Sequence, residues 1–449
     1  MFSKYKPHYV SNLSLAIPVV ISQLGHVLVQ LADSVIVGQF AGTTSLAAVS
    51  LVNSIFSVMM VIGIGISYGL TPLIAQENGK KNYRECGKLL SNSLLINTIT
   101  GILLFVGIYF GLLLTIDSLD QAPAVITEAK PYLGLLGFSI IPLMVFLTFK
   151  QFAEGLGFTR QAMVISIIGN VINIILGVIF VKGMFGIKPM GVSGVGWSTL
   201  IDRTLMCIAL GAYVLRSKHF KIYLKNFTLN RINKLQSLRI LKIGGPVAMQ
   251  YTFEVSAFSG AAIIIGTIGI AEQAAHQVAI NLATITYMMA SGISAAATIK
   301  AGNSYGRRDF KELRLSANSN YHIIIVFMVI AASLFVGLNQ LLPLIYTTDK
   351  TVIMIASHLL IIAGLFQLFD GTQVVGLGIL RGMGDVNIPT LITFIAYWII
   401  GLPVAYFLGI KLSMGANGVW YGLTIGLLVS AILLFWRYRS TVKKLKLNL

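Results

Sequence analysis

Apolar residues in this chain come in long blocks separated by short polar stretches. The blocks lie near 12–40, 46–76, 89–116, 131–152, 162–183, 191–215, 241–268, 275–302, 313–338, 353–379, 388–409 and 415–437. Each can supply the roughly 20 residues that carry a helix across a bilayer. The pattern predicts twelve membrane-spanning helices, numbered here as spans 1 to 12. Their interiors are rich in Gly and β-branched residues, which membrane helices tolerate. The short polar segment Met1 to Asn12 leads straight into a long span with no small-residue cleavage site behind it, so no removable signal peptide is expected.

Composition agrees with this reading. Of the 449 residues, 56% are hydrophobic and 11% charged, against roughly 25% charged in an ordinary soluble domain. Such a chain cannot cover its own surface with polar groups; lipid does so instead. The formal net charge of +18 would suit a nucleic-acid binder, but its distribution argues for membrane topology. Basic residues gather in alternate loops: Lys4 and Lys6; Lys80, Lys81, Arg84 and Lys88; Arg216 through Lys242; Arg307, Arg308, Lys311 and Arg314; and Arg437 through Lys446. The intervening loops nearly lack them. This positive-inside pattern places both termini in the cytoplasm, with anionic lipid rather than nucleic acid as the neighbour of the basic loops. The two cysteines, Cys86 and Cys207, offer neither a disulfide framework nor a metal cluster.

The basic stretch after span 6 is the longest polar segment and divides the spans six and six. The expected organisation is an N-terminal six-helix lobe over 1–215, a cytoplasmic basic linker over 216–240 and a C-terminal six-helix lobe over 241–449. The halves are alike in order. Pro18 matches Pro246, Gly38 matches Gly266, and Asn53 matches Asn281. With a one-residue slip, Gly79-Lys80-Lys81 falls on Gly306-Arg307-Arg308, and Glu154-Gly155-Leu156-Gly157 on Arg381-Gly382-Met383-Gly384. Gly191-Val192-Ser193-Gly194 then falls on Gly415-Ala416-Asn417-Gly418. Two six-span halves with one charge pattern form a parallel repeat, a transporter design that binds solute between its halves.

Only 15 residues are acidic, and most lie in loops or at span ends, among them Asp117 and Asp120. Asp33, Asp202, Glu254 and Asp370 fall inside spans, where an ionisable group costs at least roughly 2.5–3.5 kcal/mol and marks function unless it is paired. Asp202 is followed by Arg203, which favours a structural role for it. Glu254 and Asp370 lie mid-span with no basic residue at either span's centre. Such a pair stays charged only by sharing a cation. Its oxygens suit a hard ion such as Na⁺, and a desolvated carboxylate also takes up H⁺. Asp33 in span 1, with Asn173 and Thr199 as oxygen-bearing partners and Asn170 nearby, is a separate candidate. His26 falls opposite Glu254 in the repeat register and is a further candidate. Tyr251, Phe253, Phe258, Tyr287, Phe366 and Phe369 could stack on planar cations, although packing accounts for most aromatics in spans.

These residues resemble the multidrug and toxic compound extrusion (MATE) family, in its NorM-type branch. The resemblance is carried in order by Ala32-Asp33-Ser34-Val35-Ile36-Val37-Gly38, Gly69-Leu70-Thr71-Pro72 with Gln76-Glu77-Asn78-Gly79, and Phe149-Lys150-Gln151-Phe152-Ala153-Glu154-Gly155. It continues through Gly191-Val192-Ser193-Gly194-Val195-Gly196-Trp197, Phe253-Glu254-Val255, Ala274-Ala275-His276-Gln277-Val278-Ala279-Ile280-Asn281 and Leu380-Arg381-Gly382-Met383-Gly384-Asp385. It covers essentially the whole chain. It implies an all-α membrane fold of about twelve helices in two pseudo-symmetric lobes set in a V. The implied activity is export of small cationic, often aromatic drugs across the bacterial inner membrane by antiport with Na⁺ or H⁺. In the NorM-type branch a Glu of span 7 and an Asp of span 10 are the implied cation site, with Na⁺ as an occupant their oxygens suit, and they match Glu254 and Asp370. Asp33 matches a second acid, partnered by Asn173 and Thr199. Substrate-cavity candidates on this basis are His26, Tyr251, Phe253, Tyr287, Phe366 and Gln277. No cofactor beyond the coupling ion is expected, and the expected state is a monomer. Two departures bear on the choice of ion. Phe366 stands where NorM-type members can carry Tyr, and Gly177 stands where a second polar residue often follows Asn173.

Other classes fit less well. Gly382-Met383-Gly384-Asp385 spells the G-x-G-D of intramembrane aspartyl proteases, but Asp385 sits at a helix end beside Arg381 rather than facing a second buried aspartate. A lipid-linked oligosaccharide flippase would need a cationic cavity for pyrophosphate, whereas the mid-membrane charges here are mostly acidic. No loop is large enough to house a soluble-substrate enzyme.

Overall fold

A computed structural model describes residues 2–112, 116, 122–229 and 232–447; Asp117, Asp120 and Arg231 lie outside them. The described residues form long helices and no strand. In chain order these are α1 Phe2–Phe40, α2 Thr43–Gly79, α3 Tyr83–Gly111, α4 Pro123–Gly155, α5 Thr159–Lys182 and α6 Val192–Arg216. Then follow α7 Lys234–Gly266, α8 Ile270–Gly306, α9 Phe310–Gly337, α10 Lys350–Gly382, α11 Asn387–Lys411 and α12 Gly415–Leu447. In hydrocarbon every backbone amide must be satisfied within its own segment, which explains helix throughout.

Among the described residues, eleven of these helices are long and apolar enough to cross a membrane. The exception, α7, has ample length at 33 residues, but its middle carries Gln250, Tyr251, Thr252, Glu254 and Ser256. The chain is a multi-pass membrane protein. One boundary differs from expectation: α7 begins at Lys234, so the last residues of the basic stretch are its first turns rather than linker.

The turns between helices show the internal repeat as backbone geometry. After α2, the Asn82 N–H bonds Glu77 O at 2.9 Å and the Lys81 N–H bonds Asn78 O at 3.0 Å; after α8, Asp309 N–H bonds Ser304 O at 3.0 Å and Arg308 N–H bonds Tyr305 O at 3.1 Å. Lys81 and Arg308 share a φ of 58°, a left-handed conformation that side-chain-bearing residues rarely adopt. The ends of α4 and α10 repeat in the same way, with φ 90° at Gly157 and 82° at Gly384. There the Phe158 N–H bonds Ala153 O at 2.8 Å and the Asp385 N–H bonds Leu380 O at 3.0 Å, so both helices close on a glycine that carries no Cβ penalty. Side chains repeat too: Thr71 Oγ1 donates to Gln151 O at 3.5 Å and its equivalent Thr298 Oγ1 donates to Gly378 O at 2.9 Å.

The chain folds into two compact units, residues 1–20 with 249–449, and residues 21–248. The basic stretch 216–240 divides the sequence repeat, while the compact units divide within α1 and α7. In the first unit the beginning of α1 packs on α8 and α9. Ala16 joins a core with Ala290, Ile293 and Leu313, and Asn12 Nδ2 donates to Ser319 Oγ at 2.6 Å. Glycine permits this approach, since a Cβ on Gly292 would stand 2.3 Å from Val20 Cγ2. The second unit uses the equivalent pair. A Cβ on Gly65 would stand 2.3 Å from Ala248 Cα, so the beginning of α7 packs directly on α2.

Candidate functional site

Among the described residues, each unit holds a buried cluster of polar side chains that includes two carboxylates. In the first unit the cluster is built from α7, α8, α10 and α11. Glu254 and Asp370 are 6% and 3% exposed. The Tyr397 hydroxyl donates to Glu254 Oε1 at 3.5 Å and accepts from Gln373 Nε2 at 2.7 Å. Tyr287 adds a second hydroxyl to Glu254. Among the described residues, Asp370 Oδ1 has no hydrogen-bond partner.

Local backbone sets these positions. Along α10, Gln367, Asp370 and Gln373 recur at three-residue spacing and share one face; all are buried. Gln367 Oε1 accepts from Thr286 Oγ1 at 2.6 Å. Tyr397 lies in a π-helical turn, Ile395–Gly401, of the kind that interrupts α-helices mostly at functional positions. The equivalent helix α5 is regular throughout. Gln250 ties α7 to α11 through Thr390 Oγ1 at 3.0 Å.

Arg381 also belongs to this cluster. It is 8% exposed, its charge acts on Glu254, and its guanidinium lies 5.7 Å from the Tyr251 ring centroid. Gln250, Tyr251, Glu254, Tyr287 and Arg381 line a cavity of about 10 Å³, room for one water-sized occupant. The sequence placed Arg381 at a helix end, where the structure has it; burial of α10 to its last turn lets it line the same cavity as Glu254.

In the second unit the cluster is built from α1, α5 and α6. Asp33 and Asp202 are 6% and 4% exposed. Asn173 donates to Thr199 Oγ1 at 3.3 Å and hydrogen-bonds Asp202. Arg203 acts on both carboxylates, donates to Ser139 Oγ at 2.7 Å and lies 5.2 Å from the Phe56 ring centroid. Asp202 shares Asn173 with Thr199, a helix-bridging contact of the kind expected of a structural role. Asn170 reaches α1 instead, its Nδ2 2.5 Å from where a Cβ on Gly25 would stand.

A family model described as MatE matches residues 18–179 and 246–407. The chain belongs to the MatE family. The matched segments begin at Pro18 and Pro246, the pair from which the sequence repeat is counted, and the turns repeat one residue out of that register. The multidrug resistance protein NorM of Photobacterium profundum is 34% identical, over 95% of this chain and 94% of that protein. A probable multidrug resistance protein NorM of Agrobacterium fabrum is 32% identical, over 97% of this chain and 95% of its own length. These relatives bear out the NorM-type resemblance. Among solved structures, MATE in the straight conformation superposes with a TM-score of 0.90 at 21% identity, covering 98% of this chain and 97% of that one. The all-α MATE fold is thereby shared.

Against the MatE pattern, the remaining candidates fall in different places. The hydroxyl that Phe366 lacks reaches Glu254 from Tyr397 on α11. Phe366 itself is core, its ring 5.3 Å from that of Trp420 and 6.0 Å from that of Phe258. Phe253 packs on Phe394 at 5.0 Å. Gln277 is exposed and donates to Asn281 Oδ1 at 2.9 Å, outside the Glu254 group. The charged neighbours of His26 are Lys150 and Arg203. Sequence reasoning missed Tyr397 and Gln373. The three-residue spacing of Gln367, Asp370 and Gln373 was the signal that could have found Gln373; a tyrosine within an apolar span gave none for Tyr397.

Proposed function

We propose that this chain is an antiporter that exports small cationic, often aromatic organic compounds across the bacterial inner membrane in exchange for Na⁺ or H⁺. Family membership supports export, and the multidrug resistance names of the relatives support the breadth of substrate. The observation that carries ion coupling is the Glu254 group: two buried carboxylates with the Tyr397 and Tyr287 hydroxyls turned toward one of them. Carboxylate and hydroxyl oxygens are the ligands a hard monovalent cation takes, and a carboxylate alone suffices for a proton. The Asp33 group is the second ion-responsive site. The alternation of basic loops puts both termini in the cytoplasm.

In this reading the ion enters from outside, occupies Glu254 and Asp370, and favours a state from which the organic cation has left. The ion-loaded carrier then resets. Coupling requires only that ion and drug prefer different states of the protein. Export rather than enzymatic turnover is the whole activity. Glu254→Gln and Asp370→Asn are each expected to abolish drug resistance in cells at unchanged protein level; full resistance in both variants would sink the assignment. Drug efflux from proteoliposomes under an imposed Na⁺ gradient or an imposed pH gradient identifies the ion.

A further inference from the structure

The basic stretch between the two halves is not a free tether. It lies directly on the first turns of α3, where a Cβ on Gly87 would stand 2.7 Å from Tyr223 O and 3.0 Å from Phe227 N. Two buried side chains of α3 hold its backbone. Ser91 Oγ accepts from the Thr228 N–H at 3.1 Å. Asn92 Oδ1 accepts from the Asn233 N–H at 2.9 Å and from Ser237 Oγ at 3.1 Å. Asn233 in turn caps α7, its Oδ1 accepting from the Leu235 N–H at 2.9 Å.

These contacts enclose a cavity of about 500 Å³ whose polar lining is Lys88, Lys225, Asn226, Thr228, Asn233 and Lys234. Ligand pockets run from ~300 to ~1,000 Å³. The lining charge is all positive. Lys88 pairs with Glu85 at 3.1 Å, while among the described residues Lys225 and Lys234 pair with no carboxylate. The beginning of α7 opens on the cavity at Asn233 and Lys234, and a helix N-terminus favours an anion. Asn and Thr side chains supply neutral donors for its oxygens.

A second feature identifies the anion. Leu229, Ile232, Leu235 and Leu238 follow at three-residue spacing and are 63%, 53%, 64% and 45% exposed, with Ile232 on the cavity wall itself. Contiguous exposed apolar residues within a basic segment mark a membrane contact. At the bilayer surface the row buries beside the acyl chains while the lysines reach the phosphates. We infer that the cavity is a headgroup site for an anionic phospholipid, with Lys88, Lys225 and Lys234 on its phosphate and the apolar row against its chains. Basic pockets beside membrane helices suit such headgroups. The inference stands on the linker and does not depend on which ion drives transport.

The test is native mass spectrometry of the purified full-length protein in detergent, equilibrated with phosphatidylglycerol or phosphatidylcholine and read as the dissociation constant of the first lipid bound. Wild type is expected to bind phosphatidylglycerol more tightly than phosphatidylcholine. Combining Lys88→Gln, Lys225→Gln and Lys234→Gln should weaken phosphatidylglycerol about fivefold or more and leave phosphatidylcholine unchanged. The same three positions changed to Arg should keep the wild-type constant. Lys311→Gln, Lys443→Gln and Lys444→Gln combined remove equal charge from other basic segments and should also keep it. All six lysines are exposed, so none of these changes disturbs the packing. An unchanged phosphatidylglycerol constant in the cavity variant, or an equal loss in the control, overturns the site. Inorganic phosphate that binds as tightly as phosphatidylglycerol, with the same lysine dependence, marks a free-anion site and overturns the lipid assignment.

Discussion

Removing the Tyr397 hydroxyl tests the geometry of the Glu254 group at a single atom. In the Tyr397→Phe variant the ring keeps its place against Phe258, 5.9 Å away, and only the oxygen is lost. Two bonds go with it. Gln373 Nε2, in a fully buried residue, loses its 2.7 Å acceptor; an unsatisfied buried donor costs about 1–3 kcal/mol, and stability should fall by that amount. The second bond, to Glu254 at 3.5 Å, lies at the long end of the range. Hydrogen bonds to charged groups are worth ~1.5–3 kcal/mol at good geometry, so about 1 kcal/mol is appropriate here. If the hydroxyl helps hold the ion-loaded carboxylate, that loss weakens ion binding about fivefold. The assay is ethidium efflux from proteoliposomes as a function of the driving ion's concentration. The half-saturating concentration should rise by about that factor, with the maximal rate retained once the ion saturates. Tyr406→Phe, on the exposed side of the same helix, is the control and should change neither quantity. An unchanged half-saturating concentration, or an equal shift in Tyr406→Phe, would refute the role given to Tyr397.

Further predictions concern the scaffold. Gly65→Ala and Gly292→Ala each force a methyl group against a neighbouring helix, 2.3 Å from Ala248 Cα and 2.3 Å from Val20 Cγ2. Each should lose about 1–3 kcal/mol, read as a lower thermal unfolding midpoint in detergent; unchanged midpoints in both would contradict the packing. Lys81→Gly and Arg308→Gly relieve matched left-handed residues at φ 58°. Both should gain about 1 kcal/mol of stability, and a large difference between them would show that the turns are not equivalent. Asn12→Leu strips Ser319 Oγ and Ser316 of their buried partner and should cost about 1–3 kcal/mol in the same measurement.

Much of the fold was legible in the sequence because membrane helices are specified by length and hydropathy, both local quantities. The register of the repeat was legible for a related reason. Gly157 and Gly384 mark turns that need a left-handed residue, and Gly65 and Gly292 mark places where helices touch. The division into compact units was less legible, since whether α1 up to Val20 packs on α8 and α9 depends on contacts far apart in sequence. At the site, the acidic residues announced themselves because charge within a span is rare. Their partners did not. Tyr397 reaches Glu254 from another helix, by way of a π-helical turn that no spacing rule predicts. Arg381 was placed at its helix end, but its burial was not legible, because α10 stays buried to its last turn through contacts with other helices.

The duplication therefore supplied a scaffold and not a site. Under the repeat register the cluster positions of the first unit map to His26 for Glu254, Leu143 for Asp370 and Asn170 for Tyr397. Those of the second map to Ala261 for Asp33 and Leu427 for Arg203. Nothing in the shared backbone dictates where the carboxylates stand, because each needs oxygen and arginine partners that only its own unit supplies. Leu143→Asp makes the point as a prediction. It places a carboxylate at the scaffold equivalent of Asp370, where the counterpart of Tyr397 is Asn170, which carries no hydroxyl, and the counterpart of Glu254 is a histidine. An uncompensated buried charge is costly there, so the variant should lose thermal stability and bind no additional Na⁺. A gain of one bound cation at unchanged stability would mean that the backbone itself, not the partner set, makes the site.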